Sequence, residues 1–268
     1  MQKERALIGL RLVNAAAFLL VLTVNALANA LPINGRATGE LSALYPNLFV
    51  PAGLTFSIWG LIYLLLALFV VYQLLFRPRR GAVRSSFQSR IGFAFLVSCL
   101  ANAGWIFAWH YERVFLSLLV MVLLLLSLIR IYLRLGIGRP GALRREQVLV
   151  HLPFSVYLGW ISIAAIANAA AFLVDIRWNR FGLGEPFWTV LMIAAGIALA
   201  LLALYRRRDI FYALVVDWAL LGILLKRLSE DAEPRTAILA VLAAGMALIT
   251  AASGLLIVRR RVYVQGGD

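Results

Sequence analysis

Trp59 and Tyr63 stand four residues apart. Asn102, Trp105 and Trp109 follow one another at three and four, and Tyr157, Trp160 and Asn168 at three and eight. In a helix these spacings return to one face, so each set forms a stripe. Asn25 and Asn29 add amides to an earlier segment. Brought together, such stripes offer flat π-faces and a few hydrogen-bonding groups, a lining suited to a large planar apolar ligand with polar edges. The same residue types also serve as membrane anchors (Trp, Tyr) and as helix–helix glue (Asn), worth about 1 kcal/mol or less. Spacing alone leaves both readings open for Trp59, Trp105 and Trp160, whereas Trp178, Trp188 and Tyr132 read as anchors.

Other chemistry has little footing. His110 and His151 are expected at opposite ends of the helices that carry them, which argues against a shared metal or a bis-histidine haem. Cys99 is the lone cysteine, and no Cys/His cluster has metal-ligand spacing. Gly136-Ile-Gly138-Arg-Pro-Gly141 follows no strand and reads as a turn, not a nucleotide fingerprint. Asp217 is the one acid expected well inside an apolar segment. Burying it charged costs at least a few kcal/mol, so it is read as protonated and bonded to a neighbouring helix, with a transport role as the alternative. No catalytic residue and no required cofactor emerge.

These stripes need long apolar elements, and the composition supplies them. Of 268 residues 63% are hydrophobic and only 14% charged, with a mean hydropathy of +0.90, well above the roughly 45–50% apolar share of soluble domains. The expected fold is all-α, a polytopic membrane bundle. Spans are placed near 9–31, 50–76, 91–110, 113–135, 149–174, 187–205, 210–225 and 236–258, the seventh being the weakest. Alternate loops hold 19 and 7 of the Lys and Arg residues, so both termini are expected on the cytoplasmic side of the cell membrane. The net charge of +14 is thereby explained by topology and anionic headgroups, not by nucleic acid, because no basic patch is interleaved with aromatics. The Ala28-Asn29-Ala30 run resembles a signal-peptide cleavage site, but the apolar run before it is long for one and retention is expected.

Residues 32–49 form a long loop whose Leu44, Tyr45, Leu48 and Phe49 disfavour water. Tyr45 and Phe49 belong either to a lid over the bundle mouth or to an interfacial anchor. The segment 175–186 is the clearest shift in composition and divides a five-helix part, 1–178, from a three-helix part, 187–268.

Three motifs, in order, resemble the TspO/MBR family of tryptophan-rich sensory, or translocator-like, proteins. They are Pro51-Ala-Gly-Leu-Thr-Phe56-Ser-Ile-Trp59-Gly-Leu-Ile-Tyr63, Asn102-Ala-Gly-Trp105-Ile-Phe-Ala-Trp109-His110 and Tyr157-Leu-Gly-Trp160-Ile-Ser-Ile-Ala164-Ala-Ile-Ala-Asn168. The departures are Val50 for the first of a proline pair, Phe56 one residue closer to its Trp, Trp109-His110 for a Phe pair, and Val156 for a proline. The resemblance covers about 1–178 and leaves the last three helices without a counterpart. It implies a five-helix bundle binding porphyrin, haem or sterol-like molecules in an internal pocket closed by the first loop. Trp59 and Trp160 then flank the ligand, and Tyr63, Asn102 and Trp105 complete the wall. It also implies a sensor or carrier role, with light-dependent porphyrin degradation as one alternative; the eight helices, the loop lid and Asp217 leave transport as another. The added helices make a monomer as plausible as the homodimer of shorter members.

Overall fold

The structure is a computed structural model that describes residues 2–31, 33–36, 38–76, 86–229 and 236–265. Arg77, Arg79, Arg80, Arg84, Glu230, Asp231, Glu233 and Arg235, part of the orientation count, lie outside the described residues, as does the side chain of Asn29. Among the described residues there is no strand, and the long elements are α1 Gln2–Ala30, α2 Ile58–Leu75, α3 Ala94–His110, α4 Val114–Leu135, α5 Leu152–Asp175, α6 Glu185–Arg207, α7 Ile210–Ser229 and α8 Thr236–Gln265.

Six apolar stretches are long enough to cross a membrane: Leu7–Ala28, Gly53–Leu75, Val114–Leu135, Arg144–Asp175, Glu185–Arg207 and Thr236–Arg259. With leucines such as Leu19, Leu64, Leu126 and Leu255 turned outward and more than half exposed, the bundle carries the apolar skin of a multi-pass membrane protein. The other two helices fall short for different reasons. The third span was expected from residue 91. Gly92 takes a φ of 54°, which ends a short helix at Phe87–Ile91 and delays α3 to Ala94. That leaves 17 residues, about 26 Å of rise against a hydrocarbon layer of roughly 30 Å. The seventh, Ile210–Ser229, carries Asp217, Lys226 and Arg227.

Local sequence explains the helix ends. Pro186 occupies the first turn of α6, where a missing N–H costs nothing. Gly136, in the left-handed region, closes α4. Asp209 accepts the Tyr212 N–H at 3.2 Å and so caps α7.

α3 packs against α1 and α4, α4 against α5, and α2 against α1 and α5. α7 packs against α5, α6 and α8. This central place suits its small and branched residues: Ala213, Val216, Ala219, Leu220 and Ile223 are completely buried. One continuous apolar core therefore runs from α1 through α8. Part of it is a set of four phenylalanines. Phe69 meets Phe95 at 5.2 Å and Phe154 at 5.0 Å edge-on, and touches Phe87 at 6.3 Å.

A buried polar cluster corrects the sequence reading of Tyr132. Tyr132 is not an anchor: it is buried, and its hydroxyl donates to Asp209 Oδ2 at 2.9 Å, where Ser155 Oγ also donates at 2.6 Å. Asp209 stands just before α7 and is the buried acid that the apolar windows missed. Asp217 accepts from Thr250 Oγ1 at 2.9 Å, a contact between α7 and α8.

Candidate functional site

The stripes on α2, α3 and α5 converge at the end of the bundle that carries the 31–50 loop. Rings form a nearly continuous stack. Tyr63 lies 5.5 Å from Trp59, Trp59 lies 6.4 Å from Trp105, and Trp105 lies 5.9 Å from Trp109, with interplanar angles of 21°, 27° and 15°. Tyr45 of the loop adds a tilted ring 5.6 Å from Trp109. Trp160 approaches edge-on, 6.1 Å from Trp59, with Phe56 edge-on to it at 5.9 Å. Such offset and edge-to-face contacts suit the aromatic quadrupole.

Between these rings and the loop lies a cavity of about 70 Å³. Trp59, Trp105, Trp109, Trp160 and Asn168 line it. Its remaining wall is made by Phe56, by Ala164, Ala167 and Ala171 on the Trp160 face of α5, and by loop residues that include Asn47 and Pro51. The walls are almost wholly apolar, yet the indole N–H groups of Trp105 and Trp160 are buried without a hydrogen-bond partner. The volume is well below the roughly 300–1,000 Å³ of ordinary ligand pockets. A large ligand therefore enters only if the loop lifts or the indoles turn.

Not every expected wall residue faces this cavity. Asn102 accepts from Asn25 Nδ2 at 2.9 Å and donates to the Tyr157 hydroxyl at 2.8 Å, so both Asn102 and Tyr157 are held in a chain linking α1, α3 and α5. Tyr63 stacks behind Trp59 and is not on the wall. Asn168 is on the wall, but its amide also donates to Ser117 Oγ at 3.1 Å. Tyr45 and Phe49 are buried and pin the loop from behind, leaving its inner face to Thr38, Ser42 and Asn47. Burial pushes the Tyr45 hydroxyl pKa up, with a smaller contribution from the carboxylates of Glu112 and Asp175.

The loop is strapped at both ends. Asn34 Nδ2 donates to the His110 carbonyl at 3.0 Å, and Trp109 Nε1 donates to the Thr38 carbonyl at 3.3 Å. His110, completely buried, lies with Nδ1 2.8 Å from the Ile106 carbonyl and Nε2 3.4 Å from Thr38 Oγ1. A carbonyl only accepts, so in the neutral ring Nδ1 holds the proton and Nε2 accepts from Thr38. At the far end, Glu185 at the start of α6 accepts the Leu48 N–H at 2.9 Å.

The floor of the site rests on α7. The Ala52 N–H donates to the Gly222 carbonyl at 2.9 Å, and Trp218 Nε1 donates to the Thr55 carbonyl at 3.0 Å. A Cβ on Gly222 would fall 1.9 Å from Thr55 Oγ1, so only glycine permits this approach. The helices from 187 onward thus hold both the lid and the start of α2.

Sequence reasoning missed His110, Glu185 and Gly222, whose roles depend on contacts distant along the chain. It could have found the alanine wall, because 160, 164, 167, 168 and 171 recur at helical spacing.

No curated protein and no solved structure matches the chain. A family model described as TSPO-like protein matches residues 11–254, running through the last three helices as well as the first five. On that match, which takes in most of the chain and all three tryptophan motifs, the protein belongs to the TSPO-like family.

Proposed function

We propose that this chain is a membrane ligand-binding protein of the sensor or carrier kind, whose tryptophan-lined cavity takes a large planar lipophilic molecule bearing hydrogen-bond acceptors. A porphyrin is the first case and a sterol-like molecule the second. The observation that carries this reading is the pair of buried, unpartnered indole N–H groups carried by Trp105 and Trp160, two residues of an almost wholly apolar lining. Each unmet buried donor costs about 1–3 kcal/mol, and a ligand acceptor recovers it. Stacked indoles on one side and alanines on the other leave a slot shape that favours a flat molecule over a bulky one.

Haem fits less well than a metal-free ring, because none of the residues lining the cavity is a histidine, cysteine or methionine able to ligate iron. A transport reading would draw on Asp217, but that carboxylate is engaged by Thr250 and is absent from the cavity wall. In this proposal all eight helices cross the bilayer, both termini are cytoplasmic, and the lid faces the other side. Because α6, α7 and α8 cover one flank of the five-helix part, a monomer is the working assembly.

Titration of the purified protein with protoporphyrin in darkness tests the reading through absorbance and tryptophan fluorescence. Saturable quenching in the micromolar range is expected, and its absence contradicts the proposal. A second titration under illumination separates binding from degradation: a stable ligand spectrum fits a sensor or carrier, and bleaching that needs the protein makes it an enzyme.

A further inference from the structure

At the end of the bundle opposite the lid, the chain from α4 to α5 builds a second, chemically different cavity. The turn after α4 places Gly136, Gly138 and Gly141 at positive φ. A Cβ on Gly138 would fall 1.8 Å from the Arg207 carbonyl, so this turn is seated against the end of α6. Ahead of α5, residues Gln147–His151 form a π-helical turn, a feature frequent at functional sites. It ends at His151, which is buried.

The open pocket there measures about 380 Å³, and Arg90, Arg134, Arg139, Glu146 and His151 are among its lining residues. Glu146 is committed to Arg90, whose guanidinium also donates to the Leu135 carbonyl at 2.9 Å. His151 Nε2 lies 3.6 Å from the same carboxylate, beyond hydrogen-bond reach, and has no hydrogen-bond partner. Arg134 and Arg139 have no acidic partner among the described residues. Three guanidinium groups thus face one carboxylate, leaving two positive charges in excess beside an unpartnered imidazole nitrogen. Guanidinium forks match the tetrahedral oxygens of a phosphate group.

Arg134 also lines a neighbouring cavity of about 460 Å³, where the break at Gly92 opens a gap between α3 and α4. Its walls are Phe93, Val97, Leu123 and Leu126, with Arg130 beside Arg134 among them. Phe93 and Leu126 are more than half exposed on the apolar skin of the bundle. A basic, polar chamber and an apolar, lipid-facing groove therefore share one arginine, and together they have the form of a phospholipid.

We infer that this end binds an anionic phospholipid, with its phosphodiester held by Arg134 and Arg139 and hydrogen-bonded by His151 Nε2–H, and one acyl chain along Phe93, Val97 and Leu126. The excess of positive charge selects against zwitterionic headgroups, because among the described lining residues the one carboxylate, Glu146, is already paired with Arg90.

Native mass spectrometry of the full chain, with dioctanoyl phosphatidylglycerol, dioctanoyl phosphatidylcholine or inorganic phosphate added at equal concentration, tests this together with thermal midpoints. Retention of phosphatidylglycerol is expected to exceed that of phosphatidylcholine about tenfold, the equivalent of one charge-assisted hydrogen bond. In Arg134→Gln/Arg139→Gln the preference disappears. Both side chains are exposed, so the lipid-free midpoint is expected to stay in place and report a folded protein. Equal retention of the two lipids, undiminished preference in the double variant, or a midpoint rise with inorganic phosphate as large as with phosphatidylglycerol would each overturn the assignment.

Discussion

Two buried aromatic clusters of the bundle differ in what they leave unfinished. Phe69, Phe87, Phe95 and Phe154 meet mostly edge-on, each at most 2% exposed, and contain no polar atom to satisfy. Trp59, Trp105, Trp109 and Trp160 stack around a cavity and leave two indole N–H groups without partners. One cluster is complete as packing, while the other has shape and hydrogen-bonding capacity to spare. A membrane interior makes this contrast sharper, since no bulk water is at hand to complete a donor. Aromatic content alone does not mark a site; the proposed function rests on the unmet donors.

Changes in the two clusters should therefore separate stability from binding. Phe154→Ala opens a hole in the complete cluster and is expected to cost about 3–5 kcal/mol, seen as a much lower unfolding midpoint in detergent. A midpoint close to that of the parent would mean the cluster is looser than its geometry indicates. Gly222→Ala is expected to cost about 1–3 kcal/mol, because its Cβ meets Thr55. Here porphyrin affinity should fall together with stability, since the displaced segment leads into Trp59. Loss of stability at full affinity would detach α7 from the site.

Smaller effects belong to the tryptophan cluster itself. Trp160→Phe removes an unpartnered donor and is expected to weaken porphyrin binding about 3–10-fold while leaving the midpoint nearly unchanged. Equal affinity in a calorimetric titration would remove Trp160 from the site. Glu185→Ala frees the Leu48 N–H and an exposed pair with Arg180. It should alter stability by less than about 1 kcal/mol and quicken ligand release a few-fold in stopped-flow measurements. An unaltered release rate would mean that the lid does not open at that edge.

The sequence made the helices and the convergence of Trp59, Trp105 and Trp160 legible because both follow from periodicity, which is local. It misplaced residues whose position depends on a partner. Asn102 and Tyr157 lie on the correct faces, but an amide and a hydroxyl in an apolar bundle satisfy each other, so they closed a chain with Asn25 instead of facing the cavity. Tyr132 resembled an anchor at a helix end, yet the buried carboxylate of Asp209 drew it inward. The division at 175–186 marks a change in composition but gave no sign that Glu185 reaches back to the lid or that Gly222 carries the floor of the site. Those contacts join residues more than a hundred positions apart, and no window of sequence displays them.

In the proposed function the tryptophan cluster is unfinished because a ligand completes it. The most direct test is the protoporphyrin affinity of Trp105→Phe/Trp160→Phe, which keeps the aromatic surface and removes both indole donors. Binding is expected to be at least about tenfold weaker than in the parent, from two lost hydrogen bonds, with the unfolding midpoint held or raised. Unchanged affinity in a variant with an unchanged midpoint would contradict it.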